Sequence, residues 1–423
     1  MAHPLAFYNM LQSSNTRLVG NMYFPDSPGH MITELDNFLR MRHLGEIESN
    51  CNYLAILRKG VLNLPETIVA MLPDVFNPES RIQIMVNDEL ARLAQEVHLA
   101  YPEMAVDVGT SHFKTVLTSA EDRKKARLWH LPRWPRSYVW LLAQQQAHDC
   151  SLNYYRRRAA SRDYVPFATI PELSPELRQF LGEDDKPLAL VHIRNTPRAQ
   201  GHATNAGNST SSEVMLPTLA YLHDMGYKVV KIGREPFPPE WASSGVLNYS
   251  NSPLLNYRND MLLLKAAQFV MINASGFGNL PDILGTPMVY YGVWQINSLV
   301  SSRNCVLLPT LMRHRESGRL LKFIEQMKVV RSLPEYWDSR TPSSFPCADY
   351  DERFNTADEL LAAAQEAITL GRAWYPRSPQ QEQFFDLDRD YSFRSIDGRV
   401  GQFFLERFSD ALEPKFSSAA DTA

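Results

Sequence analysis

The sequence predicts an α/β protein made of two Rossmann-like, doubly wound parallel-sheet domains facing each other across a cleft, with a helical C-terminal extension. Three observations carry this expectation. Apolar runs of strand length alternate with amphipathic segments of helix length, which is the pattern of a doubly wound parallel sheet. The alternation occurs twice, before and after an acidic, Pro-containing passage, PELSPELRQFLGEDDKP, that reads as a domain boundary. The length of 423 residues also exceeds what one ordinary core organises. The expected domains are 1–180, 181–335 and an extension over 336–423 that packs back on the N-terminal domain.

In the first series, TRLVGNMYF reads as a buried strand ending at Phe24. PDSPGHMITELDNFLRMRHLG passes from a loop into a helix whose apolar side is Met31, Leu35, Phe38, Leu39 and Met41, with Gly45 as its stop. NYLAILRKG and RIQIMVND are strands, NLPETIVAMLPDVF and ELARLAQEVHLAYPEM helices, and AVDVG is strand-like. Residues 111–135 read as a polar, basic connection between elements or, alternatively, as a loop that helps hold a phosphate or an anionic acceptor. SYVWLLAQQQAHDCSLNYYRRRAASRDY reads as one long helix, with Arg156, Arg157 and Arg158 as a solvated face or helix-end charge.

The second series begins with the strand PLALVHIRN and the small, polar loop RAQGHATNAGNSTSS. EVMLPTLAYLHDMG is a helix ending at Gly226, YKVVKIG and VLNYSN are strands, and RNDMLLLKAAQ is a helix. FVMIN then runs into a Gly- and Ser-containing turn, a helix starts near Leu280, and PMVYYGV completes the set. Beyond Trp294, LLKFIEQM and TADELLAAAQEAITLG are amphipathic helices, and SSAADTA is an expected disordered end.

Composition narrows the function. A hydrophobic fraction of 44% and a charged fraction of 21% are those of a soluble globular protein. A net charge of −4 argues against nucleic-acid binding, although local basic clusters can still hold phosphate. No transmembrane segment or signal peptide is expected, which points to the cytoplasm and leaves peripheral membrane contact open. Cys51, Cys150, Cys305 and Cys347 form no C-x-x-C pair and read as reduced, small apolar residues.

The candidate site residues cluster at strand ends. His192 and Arg194 emerge from one strand on alternate residues and so share a face. Arg194 suits paired hydrogen bonds to a diphosphate, with His192 donating beside it. Structural ion pairing at a strand end is the competing reading. Ser275, Gly276, Gly278 and Asn279 form a second wall, at a helix start where free backbone amides attract anions. This Gly-x-Gly is not the G-x-G-x-x-G dinucleotide fingerprint, so an NAD domain is a poor reading. Lys231 and Arg234 are further candidate phosphate or base contacts, while Asn259 and Asp260 read first as helix-cap residues. Tyr290, Tyr291 and Trp294 read as core packing before they read as stacking residues.

In the first domain, His30 follows a Pro-Gly turn at a helix start, where an imidazole can act as general base on an acceptor hydroxyl, oriented by Glu34 or Asp36. Glu34 is one helical turn from His30. Capping and solvation of the helix start explain His30 and Glu34 equally well. No D-x-D pair lies in a strand-end context, so Arg and backbone amides would carry the diphosphate charge. No metal or other cofactor is expected.

VHIRN, HDMGYKVVKIG and NDMLLLKAAQFVMINASGFGNLPDILGTPMV, with PGHMITELDNFLRMRHLG before them, resemble a bacterial family of glycosyltransferases found with surface-polysaccharide genes. More distantly, the His-x-Arg strand end resembles the fucosyltransferases. The resemblance covers most of 16–45 and 187–294. It implies a GT-B fold and transfer of a sugar from a nucleotide-sugar donor to a glycan or small-molecule acceptor; the route is expected to be inverting and, from the missing D-x-D pair, metal-independent. It also implies diphosphate contact at His192 and Arg194, a donor wall at Ser275, Gly276 and Asn279, and an acceptor loop at Gly29, His30 and Glu34. The chain departs from the family in having Asp26-Ser27-Pro28 before Gly29-His30, where an Arg is usual, and Asn195 where fucosyltransferases carry a second Arg. The rivals are a nucleotide-sugar epimerase on the same fold and a non-catalytic glycan- or nucleotide-binding module.

Overall fold

The computed structural model describes residues 4–20, 28–57, 67, 71, 81–108, 153–167, 170–182, 184–194, 211–273, 275–293, 304–332, 349–373, 375–387 and 397–412. Two compact units are present. Unit 1 comprises 1–180, 254–266 and 275–284, and unit 2 comprises 181–253, 267–274 and 285–423. The chain therefore changes unit at 180/181, 253/254, 266/267, 274/275 and 284/285.

Unit 1 begins with α1 (Pro4–Ser13), which the strand and helix patterns did not anticipate. Phe7 and Leu11 put one face of this short helix into the core. The strands β1 (Thr16–Gly20), β2 (Asn52–Leu57), β3 (Ile82–Val86) and β4 (Ala105–Asp107) form a parallel sheet in the order β3-β2-β1-β4. The order reverses between β1 and β4. Between β1 and β2 lies α2 (Pro28–His43), and after β3 comes α3 (Asp88–Ala100). The Asn87 side chain caps α3, accepting from the Leu90 amide at 2.9 Å. Leu18, Leu54 and Ile56 of the sheet pack with Ala94 and Val97 of α3 and with Leu11 of α1 in one apolar cluster. Residues 153–160 form a helix.

In unit 2, β5 (Leu188–His192), β6 (Lys228–Ile232), β7 (Leu247–Asn248), β8 (Phe269–Asn273), β9 (Met288–Val293), β10 (Cys305–Pro309) and β13 (Arg399–Val400) form a seven-stranded parallel sheet. Its order is β13-β10-β9-β8-β5-β6-β7. Starting from β5, this is the 3-2-1-4-5-6 Rossmann order with one further edge strand. Every residue of β5, β8, β9 and β10 is buried, as expected for central strands covered on both faces. Each fully buried Leu or Val there contributes roughly 1.5–3 kcal/mol. A separate two-stranded antiparallel ribbon pairs β11 (Leu311–His314) with β12 (Tyr350–Arg353).

Among the described residues beyond 170, the α-helices are α4 (Pro175–Leu181), α5 (Leu216–Asp224), α6 (Tyr257–Ala266), α7 (Asn279–Leu284), α8 (Phe323–Ser332), α9 (Ala357–Leu370), α10 (Pro379–Asp386), α11 (Gln402–Arg407) and α12 (Ser409–Leu412). Three of them belong to unit 1: α4, up to Phe180, and α6 and α7, which flank β8 in sequence; within that unit α7 packs on α2. In unit 2, α9 packs on α5 and against β9 and β10. The segment 336–423, expected as a helical extension, also supplies β12 and the sheet strand β13, and its described residues pack within unit 2. No helix among the described residues is long and apolar enough to cross a membrane.

Several expected features lie outside the described residues. These are the end of the first strand at Phe24, most of the helix expected over 63–76, the connection 111–135, the first part of the helix expected to begin at Ser137, most of the loop over 198–212, Trp294 and the C-terminal SSAADTA.

Candidate functional site

The strand order of the seven-stranded sheet reverses between β5 and β8, and their last residues are His192 and Asn273. Ligands of open α/β sheets bind outside the carboxyl ends of the strands at such a switch point. The His192 ring is 1% exposed. Its Nδ1 lies 2.8 Å from Asn273 Oδ1, and its Nε2 lies 3.5 Å from Glu235 Oε2, in the loop after β6. The Tyr291 hydroxyl, from β9, donates to the His192 carbonyl at 2.8 Å. Strand-end residues from β5, β8 and β9 are thus tied to one another and to the β6 loop.

Gly233 makes this arrangement possible. Its φ is +92°, and a Cβ there would stand 2.5 Å from His192 Cδ2 and 2.9 Å from Glu235 Oε2. Only a residue without a side chain leaves room for the ring and the carboxylate together.

Lys231, the fourth residue of β6, is fully buried. Its ammonium donates to the Glu235 carbonyl and, at 2.6 Å, to the Ser250 hydroxyl. Burial lowers its pKa to about 8, against the opposing pull of Glu235. Burial pushes the Glu235 carboxyl up, but the hydrogen bond and charge of His192, with Lys231 beyond, outweigh it and leave the pKa at about 2. Glu235 is therefore an ionised carboxylate beside the His192 ring, with the Lys231 ammonium on its backbone carbonyl.

The structure places the expected residues unequally. His192 is at the expected strand end, but both ring nitrogens face protein oxygens, so it positions the strand end instead of offering a free donor. Lys231 is an internal cation instead of a surface contact, because its side chain turns into the core beneath the β6 loop. Arg194 follows two residues after the end of β5 and is half-buried. Ser275, Gly276 and Asn279 belong to unit 1, not to the unit that carries His192. Ser275 closes a turn on itself, its hydroxyl accepting from the Phe277 amide at 3.2 Å and its carbonyl from the Gly278 amide at 3.0 Å. The Asn279 amide donates to Thr33 of α2 at 2.8 Å. Arg234 is exposed.

In unit 1, His30 lies in the first turn of α2, the helix that follows β1 at the carboxyl end of that sheet. Its side chain, like those of Asp26 and Ser27, is outside the described residues. Glu34 is buried one turn further on. Asp36 lies about 240° round the helix from residue 30 and serves a different purpose. It accepts from Arg40 Nε at 3.0 Å through both oxygens and from the Tyr154 hydroxyl at 2.7 Å. Arg40 continues to the Ser161 carbonyl at 2.9 Å and hydroxyl at 2.8 Å. The arginine run is also internal in part: Arg158 pairs with Asp282 of α7, and Arg157 reaches Glu46 at 2.7 Å and Asn37 at 3.1 Å. These contacts join α2, α7 and the helix at 153–160.

Sequence reasoning passed over Glu235 and Asn273. The available signal for Asn273 was its place as the last residue of FVMIN, a polar side chain closing an all-apolar strand. Glu235 lies in the loop REPFPPE, where nothing in the residue pattern sets it apart from Glu240.

No family model matches the chain, and no curated protein matches it. Among solved structures it is similar to the E. coli heptosyltransferase WaaC with ADP, at 12% identity over 70% of this chain and 93% of that one, with a TM-score of 0.38. It is similar to the family 9 glycosyl transferase of Veillonella parvula, at 12% identity over 84% and 97%, with a TM-score of 0.42. It is also similar to the dodecameric iron-containing heptosyltransferase TibC in complex with ADP-D-beta-D-heptose, at 13% identity over 94% and 77%, with a TM-score of 0.37. The fucosyltransferase likeness suggested by the His-x-Arg strand end finds no support among these.

Proposed function

We propose that this chain is a GT-B glycosyltransferase that moves a sugar from a nucleotide-sugar donor to an acceptor hydroxyl, with inversion and without a metal ion, in the synthesis of a glycan or surface polysaccharide. The reading rests on the site, not on the solved structures named above. One observation supports it most: at the switch point of a Rossmann-ordered sheet, the ends of β5 and β8 are locked together by His192 and Asn273, and the half-buried Arg194 follows at once.

In this reading Arg194 meets the donor diphosphate, and His192, fixed by Asn273 and Glu235, holds the strand end that carries it. The acceptor oxygen attacks the anomeric carbon opposite the leaving group. The bond from that carbon to the diphosphate oxygen breaks, and its electron pair departs with the nucleoside diphosphate, whose charge Arg194 stabilises. The acceptor proton passes to His30, the general base of the proposal.

The test is a thermal-shift screen with GDP, UDP, CDP, dTDP, ADP and their sugars, since a ligand of the native state raises its apparent stability. At least one nucleotide should raise Tm, and Arg194→Ala should weaken that nucleotide by about tenfold or more. His30→Ala should lower turnover while leaving donor affinity in place. The absence of a shift with every nucleotide would overturn the reading.

A further inference from the structure

A second concave site lies in unit 2, away from the ends of β5 and β8. It is a cleft of about 500 Å³ between α9, the segment leading into α10, β13 and α11. This is within the range of small-molecule sites.

Two arginines line it. Arg399, on the edge strand β13, is 5% exposed. Its Nη2 donates to the Tyr375 carbonyl at 2.7 Å, but its buried Nε has no hydrogen-bond partner. Arg377 lies with its guanidinium 3.9 Å from the Phe385 ring centroid and its Nε donating to the Gly398 carbonyl at 2.9 Å. Burial lowers the pKa of both guanidinium groups.

The surrounding polar groups are already satisfied by one another. Glu366 accepts from the Gln402 amide at 2.7 Å and from the Gln381 side chain at 3.0 Å, and Glu406 accepts from the Gln402 side chain at 2.7 Å. Among the described lining residues, the orphaned side-chain atom is thus a cationic N–H donor. A buried donor left in this state is costly, and because the Nε itself has almost no accessible surface, an acceptor in the cleft reaches it only when the Arg399 guanidinium turns toward the space it lines.

Two features narrow the ligand. Glu366 sits near Arg399 and offsets part of its charge, which suits a singly charged group better than a dianion. Phe403, 41% exposed, lines the same cleft and offers a ring face to a carbon skeleton, which an inorganic ion does not have. The Nε edge of a guanidinium and its neighbouring Nη form a two-donor fork that matches a carboxylate.

We propose that this cleft is a binding site for a small organic carboxylate, with the Arg399 guanidinium as its anchor and Phe403 as its apolar wall. The proposal is independent of the glycosyltransferase reading, which stands or falls on nucleotide binding and Arg194.

Calorimetric titration of the full chain with sodium D-glucuronate, succinate and benzoate tests it, with D-glucose and inorganic phosphate as comparisons. The arginine Nε–Hε signals are followed by NMR in parallel, and the Arg399 signal is assigned by its loss in Arg399→Lys. At least one carboxylate should bind saturably and move that signal, while glucose should not. Arg399→Lys, which keeps the charge and removes the fork, should lower the affinity about tenfold or more. If that variant does not fold, Phe403→Ala, a change at an exposed position, should weaken the same carboxylate severalfold. Lack of saturable binding by all three carboxylates, an unchanged affinity in the folded variants, or an equal response to phosphate would overturn the proposal.

Discussion

His192 Nδ1 lies 2.8 Å from Asn273 Oδ1, and this contact joins the last residues of the two strands between which the seven-stranded sheet reverses its order. Neighbouring parallel strands are held by backbone bonds along their length, but those bonds do not fix the direction of the chain beyond the last residue. Here a side-chain contact does so, where a ligand of such a sheet would meet the protein. Asn273→Leu keeps the size and removes the acceptor. It should lower stability by about 1–3 kcal/mol through the orphaned ring nitrogen, measured by urea unfolding, and weaken whichever nucleotide shifts the wild type.

Glu235 makes the fold acid-sensitive. Its folded pKa of about 2 lies below the ordinary 4.5, so its contribution is fully present above 4.5 and is lost as pH falls through 2. Each tenfold change in proton affinity between the folded and unfolded chain is worth about 1.4 kcal/mol, which makes the contribution on the order of 3–4 kcal/mol. Glu235→Gln should therefore be less stable than the wild type at pH 6, with the gap narrowing steadily below pH 4.5 in urea titrations.

Lys231 acts at the other end of the scale. Its folded pKa of about 8 is below the ordinary 10.5, so between these values the unfolded chain binds more protons and stability rises with pH. The wild type should gain up to about 1.4 kcal/mol for each step of one in pH, relative to Lys231→Met, between pH 8 and 10. Parallel unfolding curves at pH 7.5, 9 and 10 would show it, and a flat difference would contradict the burial argument.

Gly233→Ala should be disproportionately damaging for the addition of one methyl group. The new Cβ meets His192 and Glu235 at under 3 Å, at a φ of +92°. A loss of about 1–3 kcal/mol is expected from strain and crowding, with the His192 ring displaced from Asn273 in the side-chain NMR spectrum.

In unit 1, Asp36→Ala should cost about 3–5 kcal/mol, because it leaves Arg40 buried without its carboxylate. Tyr154→Phe, which removes one hydrogen bond to the same carboxylate, should cost about 1 kcal/mol. A similar loss in both variants would show that the Asp36–Arg40 pair contributes little.

The α/β series was legible where burial on both faces writes itself into composition. LALVH and FVMIN are wholly buried strands, and the run after Thr356 became a capped helix closed by Gly371. The strand β13 was not legible, since two residues have no periodicity and their place comes from pairing with β10. Within the site, His192 and Arg194 could be read from strand alternation, but the partners of His192 could not. Glu235 reaches the ring through a turn that depends on Gly233, and the Asp36–Arg40 pair, one helical turn apart, is shown to be internal by Tyr154 and Ser161, more than 115 positions away. Long-range partnership of this kind leaves no local pattern.

The five changes of unit along the chain have a consequence for synthesis. Unit 1 takes α6 and α7 from 254–266 and 275–284, so its first 180 residues cannot complete their own packing as they leave the ribosome. Met31 to Met41 of α2, buried in the finished fold, must wait for α7, which is made some 240 residues later. A gene cut at residue 180 would therefore yield two incomplete products, not two domains. The face of α2 that α7 covers stays without that cover through more than half of the chain's translation.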